Sequence, residues 1–218
     1  MPITYEMMVQ ETKKYLAHQV HDGVIPSDGE RALEIMRERR DSFVTNVDIL
    51  IAAVSRDPQY SFEAGKLITP VDQISPLCRY WLVEGVSATP RWAAHAGGAW
   101  IDALLTPELF PVLCEAVLKT PESCRIAGTK WSEKRYEALT PEDAVQKVIT
   151  SPHESYLAGV EWGFSRFDYA CYKGLLECVA GSPAHRNMAI AGSPVHGIWS
   201  EERERALRRI IAKGIQGS

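Results

Sequence analysis

The chain has 218 residues, of which 45% are apolar and 24% charged, proportions that supply a core of ordinary size and exclude wholesale disorder. Its 28 acidic against 24 basic side chains leave a formal net charge of -4. That excludes the strongly basic composition of a dedicated nucleic-acid binder or a polybasic membrane-surface protein, so neither nucleic acid nor membrane is expected as a partner.

The opening stretch, MPITYEMMVQETKKYL, lacks a basic region followed by an apolar core, so no secretory signal is read there. The spacing predicts a first helix from about Ile3 to Asp22, stopped by Gly23. His18 and His21 are three apart on it, but no third ligand accompanies them and no metal site is expected. Ser27 then opens a second helix through the box Ser27-Asp28-Gly29-Glu30. Leu33, Met36, Phe43, Val47, Leu50 and Val54 step along it at helical intervals, and Asp57-Pro58 is read as its end. Val47 to Val54 is the longest apolar run, broken by Asp48, and falls well short of the roughly 18 residues a membrane span requires.

Thirteen prolines punctuate the chain, and most follow Ser or Thr, as in Ser75-Pro76, Thr89-Pro90, Thr120-Pro121, Ser151-Pro152 and Ser182-Pro183. A hydroxyl at the N-cap accepts a bond from a first-turn amide, and proline next to it has no amide to lose and a pre-set helical φ. Each pair therefore marks a helix start. Shorter helices are predicted at about 76–86, 90–105, 107–119 and 141–150, a long central one near 152–179, and a last one from Ser200 to about Lys213. Segments 124–131 and 188–195 read equally as extended chain or loop. The successive Ser/Thr-Pro starts are 6 to 31 residues apart, which is too uneven for a solenoid.

The expected fold class is all-α: a single-domain irregular helical bundle of about seven to nine helices spanning 1–218, or an amino-terminal helical hairpin, 1–57, packed on a bundle made from 58–218. Five cysteines without a CxxC pair suit reduced, buried thiols and a cytoplasmic setting.

Several features bear on chemistry. Gly159, Gly163, Ala170 and Gly174 form a stripe of small residues on the predicted central helix, suited to close approach of another helix. On the segment 182–199, His185, Arg186 and His196 are the candidate catalytic residues, because histidine titrates near neutrality and arginine recognises carboxylates and phosphates. Trp92, Trp131 and Trp199, with Arg91 beside the first of them, are the candidate anchors for a partner, since Trp and Arg most often carry interface energy. No Walker A, GxGxxG, HExxH or GxSxG motif is present, and no cofactor is expected. Two readings follow. The first is a cytosolic protein-binding module, an inhibitor or toxin-neutralising protein whose partner is another protein. The second is a small metal-independent hydrolase or transferase using the 182–199 segment.

Overall fold

The computed structural model describes residues 29–38, 47–68, 74–139, 141–162, 169–192 and 199–216. Among them the fold is all-α, with thirteen helices and no strand. The helices are α1 (Gly29–Glu38), α2 (Val47–Val54), α3 (Pro58–Leu67), α4 (Pro76–Ser87), α5 (Pro90–Ala99), α6 (Phe110–Val117), α7 (Pro121–Lys130), α8 (Glu133–Ala138), α9 (Pro141–Val148), α10 (Pro152–Glu161), α11 (Tyr169–Gly181), α12 (Pro183–Ala191) and α13 (Glu201–Gln216). The predicted helix at 3–22, with His18 and His21, lies outside the described residues.

The proline starts behave as capping chemistry requires. Ser75, Thr120 and Ser151 each accept a backbone N–H of the first turn, with proline at the next position. Asp57-Pro58 is a start as well, not the expected end: Asp57 accepts from the amides of Gln59 and Tyr60 and opens α3. Segment 124–131 is no strand or loop but mostly the body of α7, and 188–191 completes α12.

The helical bundle is as expected, but its helices outnumber the seven to nine expected, and the excess has a cause in the sequence. The leading residues Asp57, Thr89, Thr120, Ser151 and Ser182 lie 32, 31, 31 and 31 residues apart, and each opens a helix of about ten residues: α3, α5, α7, α10 and α12. A second helix completes each period. Its mark is an apolar pair with a third apolar residue three positions on: Leu82-Val83 and Val86 in α4, Leu113-Cys114 and Val117 in α6, Ala144-Val145 and Val148 in α9, Leu175-Leu176 and Val179 in α11, Ala206-Leu207 and Ile210 in α13. Leu50-Ile51 and Val54 in α2 match it too. Among the described residues the helices from α3 on recur as two-helix repeats, with the short α8 added within the third, which corrects the expectation that no fixed period exists. Two cap signals per period, separated by unequal loops, hide the regularity when successive starts are compared.

Two compact units divide the chain, Met1–Ala116 and Val117–Ser218. In the first, α3 packs on α4 within one period and on α5 in the next, while α2 packs on α4. The second follows the same plan: α7 packs on α9 and α10, α10 on α11 and α12, and α11 on α13. Within each unit, α3 and α10 thus meet both their partner and their counterpart one period away, as stacked helical repeats do.

The predicted long helix at 152–179 is two helices. Trp162 leaves helical geometry at φ -78 and ψ 136 and ends α10. The reason is tertiary. The Trp162 ring lies on Gly128 of the preceding repeat, where an added Cβ would stand 2.5 Å from its six-membered ring, and its Nε1–H donates to the Arg125 carbonyl at 3.0 Å. Trp100 does the same to Gly65 and the Phe62 carbonyl, and Trp199 to Gly159 and the Tyr156 carbonyl, both at 3.0 Å. Glycine is needed at these places because a ring fills the space a side chain would take. Of the expected small-residue stripe, Gly159 admits this indole and Gly174 faces Ile149 at ordinary van der Waals distance; Gly163 lies outside the described residues, as does the Ala170 side chain.

The thiols of Cys78 and Cys124 are free and fully buried. Cys78 donates to Asp48 at 2.9 Å and Cys124 to the Val117 carbonyl at 3.3 Å. Burial pushes the Cys124 thiol up to about 12 and the Cys78 thiol higher still, the latter helped by the hydrogen bond to Asp48. Because the thiolate is the reactive form, a water-soluble disulfide reagent should leave both unmodified in the folded protein and modify both in denaturant. Peptide mass spectrometry reads the result, and rapid native labelling of either cysteine contradicts the packing.

Candidate functional site

The residues proposed as partner anchors separate into two kinds. Trp131 and Trp199 are 1% and 3% exposed. The expectation that they are exposed anchors is corrected: Trp131 caps the end of α7, Trp199 precedes α13, and both are consumed by the core. Trp92 is half-buried on α5. Its ring lies 5.2 Å from Phe62 and 5.7 Å from His95, so part of its surface is spent on the neighbouring repeat. Arg91 precedes it and is exposed.

The Phe62–Trp92 contact has a polar counterpart. Counted from the leading residue, Phe62 and Arg125 occupy the same repeat position, and so do Trp92 and Glu154. Arg125 Nε donates to Glu154 at 2.6 Å, and its Nη1 to Glu161. Thr129 adds a bond to Glu161 at 2.9 Å. Burial of the Arg125 guanidinium opposes its charge, yet the hydrogen bonds to Glu154 and the field of Glu161 outweigh it and hold its pKa above the ordinary value. One repeat interface is therefore aromatic and another ionic at equivalent places. Sequence reading missed the ionic one because its partners are 29 and 36 residues apart; the repeat period is the signal that would have aligned them.

The candidate catalytic residues do not converge on a described cleft. His185 and Arg186 sit half-buried in the first turn of α12, a helix where a long loop was expected, and His196 lies outside the described residues. His185 Nδ1 shares a hydrogen bond with Ser182 Oγ at 2.8 Å, and its ring meets that of His153 at 5.6 Å. The hydroxyl that would cap α12 is turned to the imidazole instead; Ser182 makes no side-chain cap bond. Partial burial, and then the charge of His153, hold the His185 pKa below the ordinary 6.5.

A depressed folded pKa means that the unfolded chain takes up the proton more readily. The associated stability is complete above 6.5 and is lost as pH falls toward the folded value. The melting temperature should decline between about pH 7 and pH 5, and His185→Gln should flatten that part of the profile. An unchanged slope in the variant would remove His185 as its source.

The structure also holds a cavity of about 400 Å³ lined by residues of α2, α4 and the turns after them, Arg56, Trp81 and Glu84 among them. None of the sequence-proposed site residues lines it. Among the described residues no group of three or more His, Cys, Asp or Glu side chains is placed to hold a metal ion, and no helix is long and apolar enough to cross a membrane. Comparison of the chain with family models, with curated proteins and with solved structures finds no match in any of the three.

Proposed function

We propose that the protein is a binding module for another protein, built from tandem two-helix repeats. The observation that supports this most directly is the contrast between inward and outward positions of the second helix of each repeat. The inward positions repeat as Leu/Ala, Val/Leu/Cys and Val/Ile. The position before the last two of α4, α6, α9 and α11's matching segments carries Glu84, Glu115, Gln146 and Glu177, and α13 has Arg208 there. The position three residues earlier varies more widely, from buried Trp81 through half-buried Val112 and Gly174 to exposed Asp143 and Arg205. A constant frame bearing a changing outer face is the arrangement by which helical repeats recognise partners.

The enzyme reading draws on the Ser182–His185 bond. Among the described residues no carboxylate orients that imidazole, and neither Ser182 nor His185 is among the residues that line the cavity. The geometry therefore favours binding over hydrolysis.

Affinity capture from the native cell tests the proposal. The variant Gln146→Arg/Glu177→Arg alters exposed side chains on α9 and α11 and should preserve the melting temperature. A protein retained by the native chain and lost with this variant supports the reading. If captured proteins are the same for both, or none is retained, the second-helix face is not the binding surface.

A further inference from the structure

The last described repeat carries charge that its place in the array does not call for. On α13 the side chains of Arg205, Arg209 and Lys213 recur every four residues, and all three are exposed. Their counterparts one period earlier are Gly174, Cys178 and Ser182. In no other second helix among the described residues are these positions cationic together.

Local helix chemistry accounts for only part of this row. A cation near the carboxyl end suits the helix dipole, which covers Lys213 in the last turn. Arg205 lies in the first half of α13, where the dipole gives a cation no such advantage. Like charges four residues apart also repel. The acids of the helix, Glu201, Glu202 and Glu204, stand in its first turn, and residues 205–216 contain none. Glu204 is already engaged by Arg208, at 2.6 and 2.8 Å. Arg205 donates through Nε to the Glu201 carbonyl at 3.2 Å. Among the described residues no carboxylate pairs with Arg205, Arg209 or Lys213. The opposite face of the helix, with Leu207 buried and Ile210 and Ile211 half-buried, is spent on the core.

The dimensions of the row decide what kind of anion fits it. Four residues of α-helix advance about 6 Å, so the three charges span about 12 Å. Along an extended chain, side chains on one side recur about every 6–7 Å. An extended segment with carboxylates at alternate positions therefore meets the row charge for charge. The planar fork of arginine takes each carboxylate in two hydrogen bonds. Nucleic acid and membrane fit less well. A duplex binder draws on roughly 6–10 phosphate contacts and a polybasic membrane site on about 4–8 cations, whereas this row has three cations with three glutamates at its head.

We propose that Arg205, Arg209 and Lys213 dock an acidic protein segment that lies extended along α13 with carboxylates at alternate positions. This rests on the reading of the protein as a binding module and names the chemistry of one surface of its partner.

The test follows the backbone amide signals of α13 in the nitrogen-15-labelled full chain by NMR. The probe is a peptide of alternating glutamate and serine. The controls are a peptide of the same composition with its glutamates in one block, oligothymidylate of matched charge, and phosphatidylserine vesicles. The alternating peptide should shift the α13 signals saturably and bind more tightly than every control. The variant Arg205→Gln/Arg209→Gln/Lys213→Gln should keep the native melting temperature and bind the peptide about tenfold more weakly, the sum of three exposed ion pairs. The proposal is overturned if the peptide gives no saturable shift, if the variant binds it as the native chain does, or if any control binds as tightly. No cellular partner enters this test, and Gln146→Arg/Glu177→Arg leaves the row intact, so failure here and failure of the capture experiment are distinguishable.

Discussion

Gly128→Ala is expected to destabilise the native protein by about 1–3 kcal/mol, although alanine is the better helix former by about 1 kcal/mol. The new methyl would stand 2.5 Å from the Trp162 indole, a rigid ring that is 2% exposed and held by its bond to Arg125. Neither side can yield without opening the repeat interface. Trp162→Ala should cost about 3–5 kcal/mol, because it empties the space over Gly128 and removes one donor from the Arg125 carbonyl, which keeps its bond from the Thr129 hydroxyl. The informative measurement is the double variant. With the ring gone, Gly128→Ala meets open space and regains its helix preference, so its effect should change sign to a stabilisation of up to about 1 kcal/mol. Urea unfolding of the four proteins reads the cycle. Equal effects of Gly128→Ala in both backgrounds would mean that the ring and the glycine do not act as one joint.

The second large effect is expected at Arg203. This side chain is 5% exposed on α13 and donates to the carbonyls of Gly159 and Trp162, the latter at 2.6 Å. Those are among the last carbonyls of α10, which have no partner inside their own helix and carry its negative dipole end. Arg203→Met keeps most of the volume but abandons both, at about 1.5–3 kcal/mol for each charge-assisted bond. Arg203→Lys should fall between, because an ammonium has no planar fork to reach two carbonyls at once. The order native, Lys, Met in unfolding free energy is the expected result. A Met variant as stable as the native protein would show that packing alone holds this junction.

The parts of the fold that were legible in the sequence are those decided locally. Ser75, Thr120 and Ser151 each fix a helix start with their own hydroxyl and the proline that follows. The all-α class follows from many such starts and the lack of alternating strands. Helix ends were less legible. Residues 152–179 have no breaker strong enough to divide them, and the division at Trp162 comes from a ring that must reach Gly128, 34 residues earlier in the chain. The same blindness affected the tryptophans. Trp131 and Trp199 sit in polar or Gly-flanked surroundings that suggest exposure, whereas both are buried, Trp199 against Gly159, 40 residues earlier in the chain. In the site, charge and ring chemistry on neighbouring repeats became paired only once the period was known, and the cationic row of α13 is visible only as an exception to that period.

The joint between repeats also gives the array a direction. Trp100, Trp162 and Trp199 each reach back to a glycine in the preceding repeat, so ring and socket belong to different periods of the sequence. The earliest described socket, at Gly65, belongs to a repeat whose own ring position is taken by Ile68. At the other end, Ser193 stands where the ring is due, and Trp199 fills Gly159 from six residues further on. These two repeats are therefore chemically unlike. One offers a socket without spending a ring, and the other delivers its ring by a longer route. Duplicating an internal 31-residue segment such as 120–150 would lengthen the array while carrying one new ring position and one new socket together.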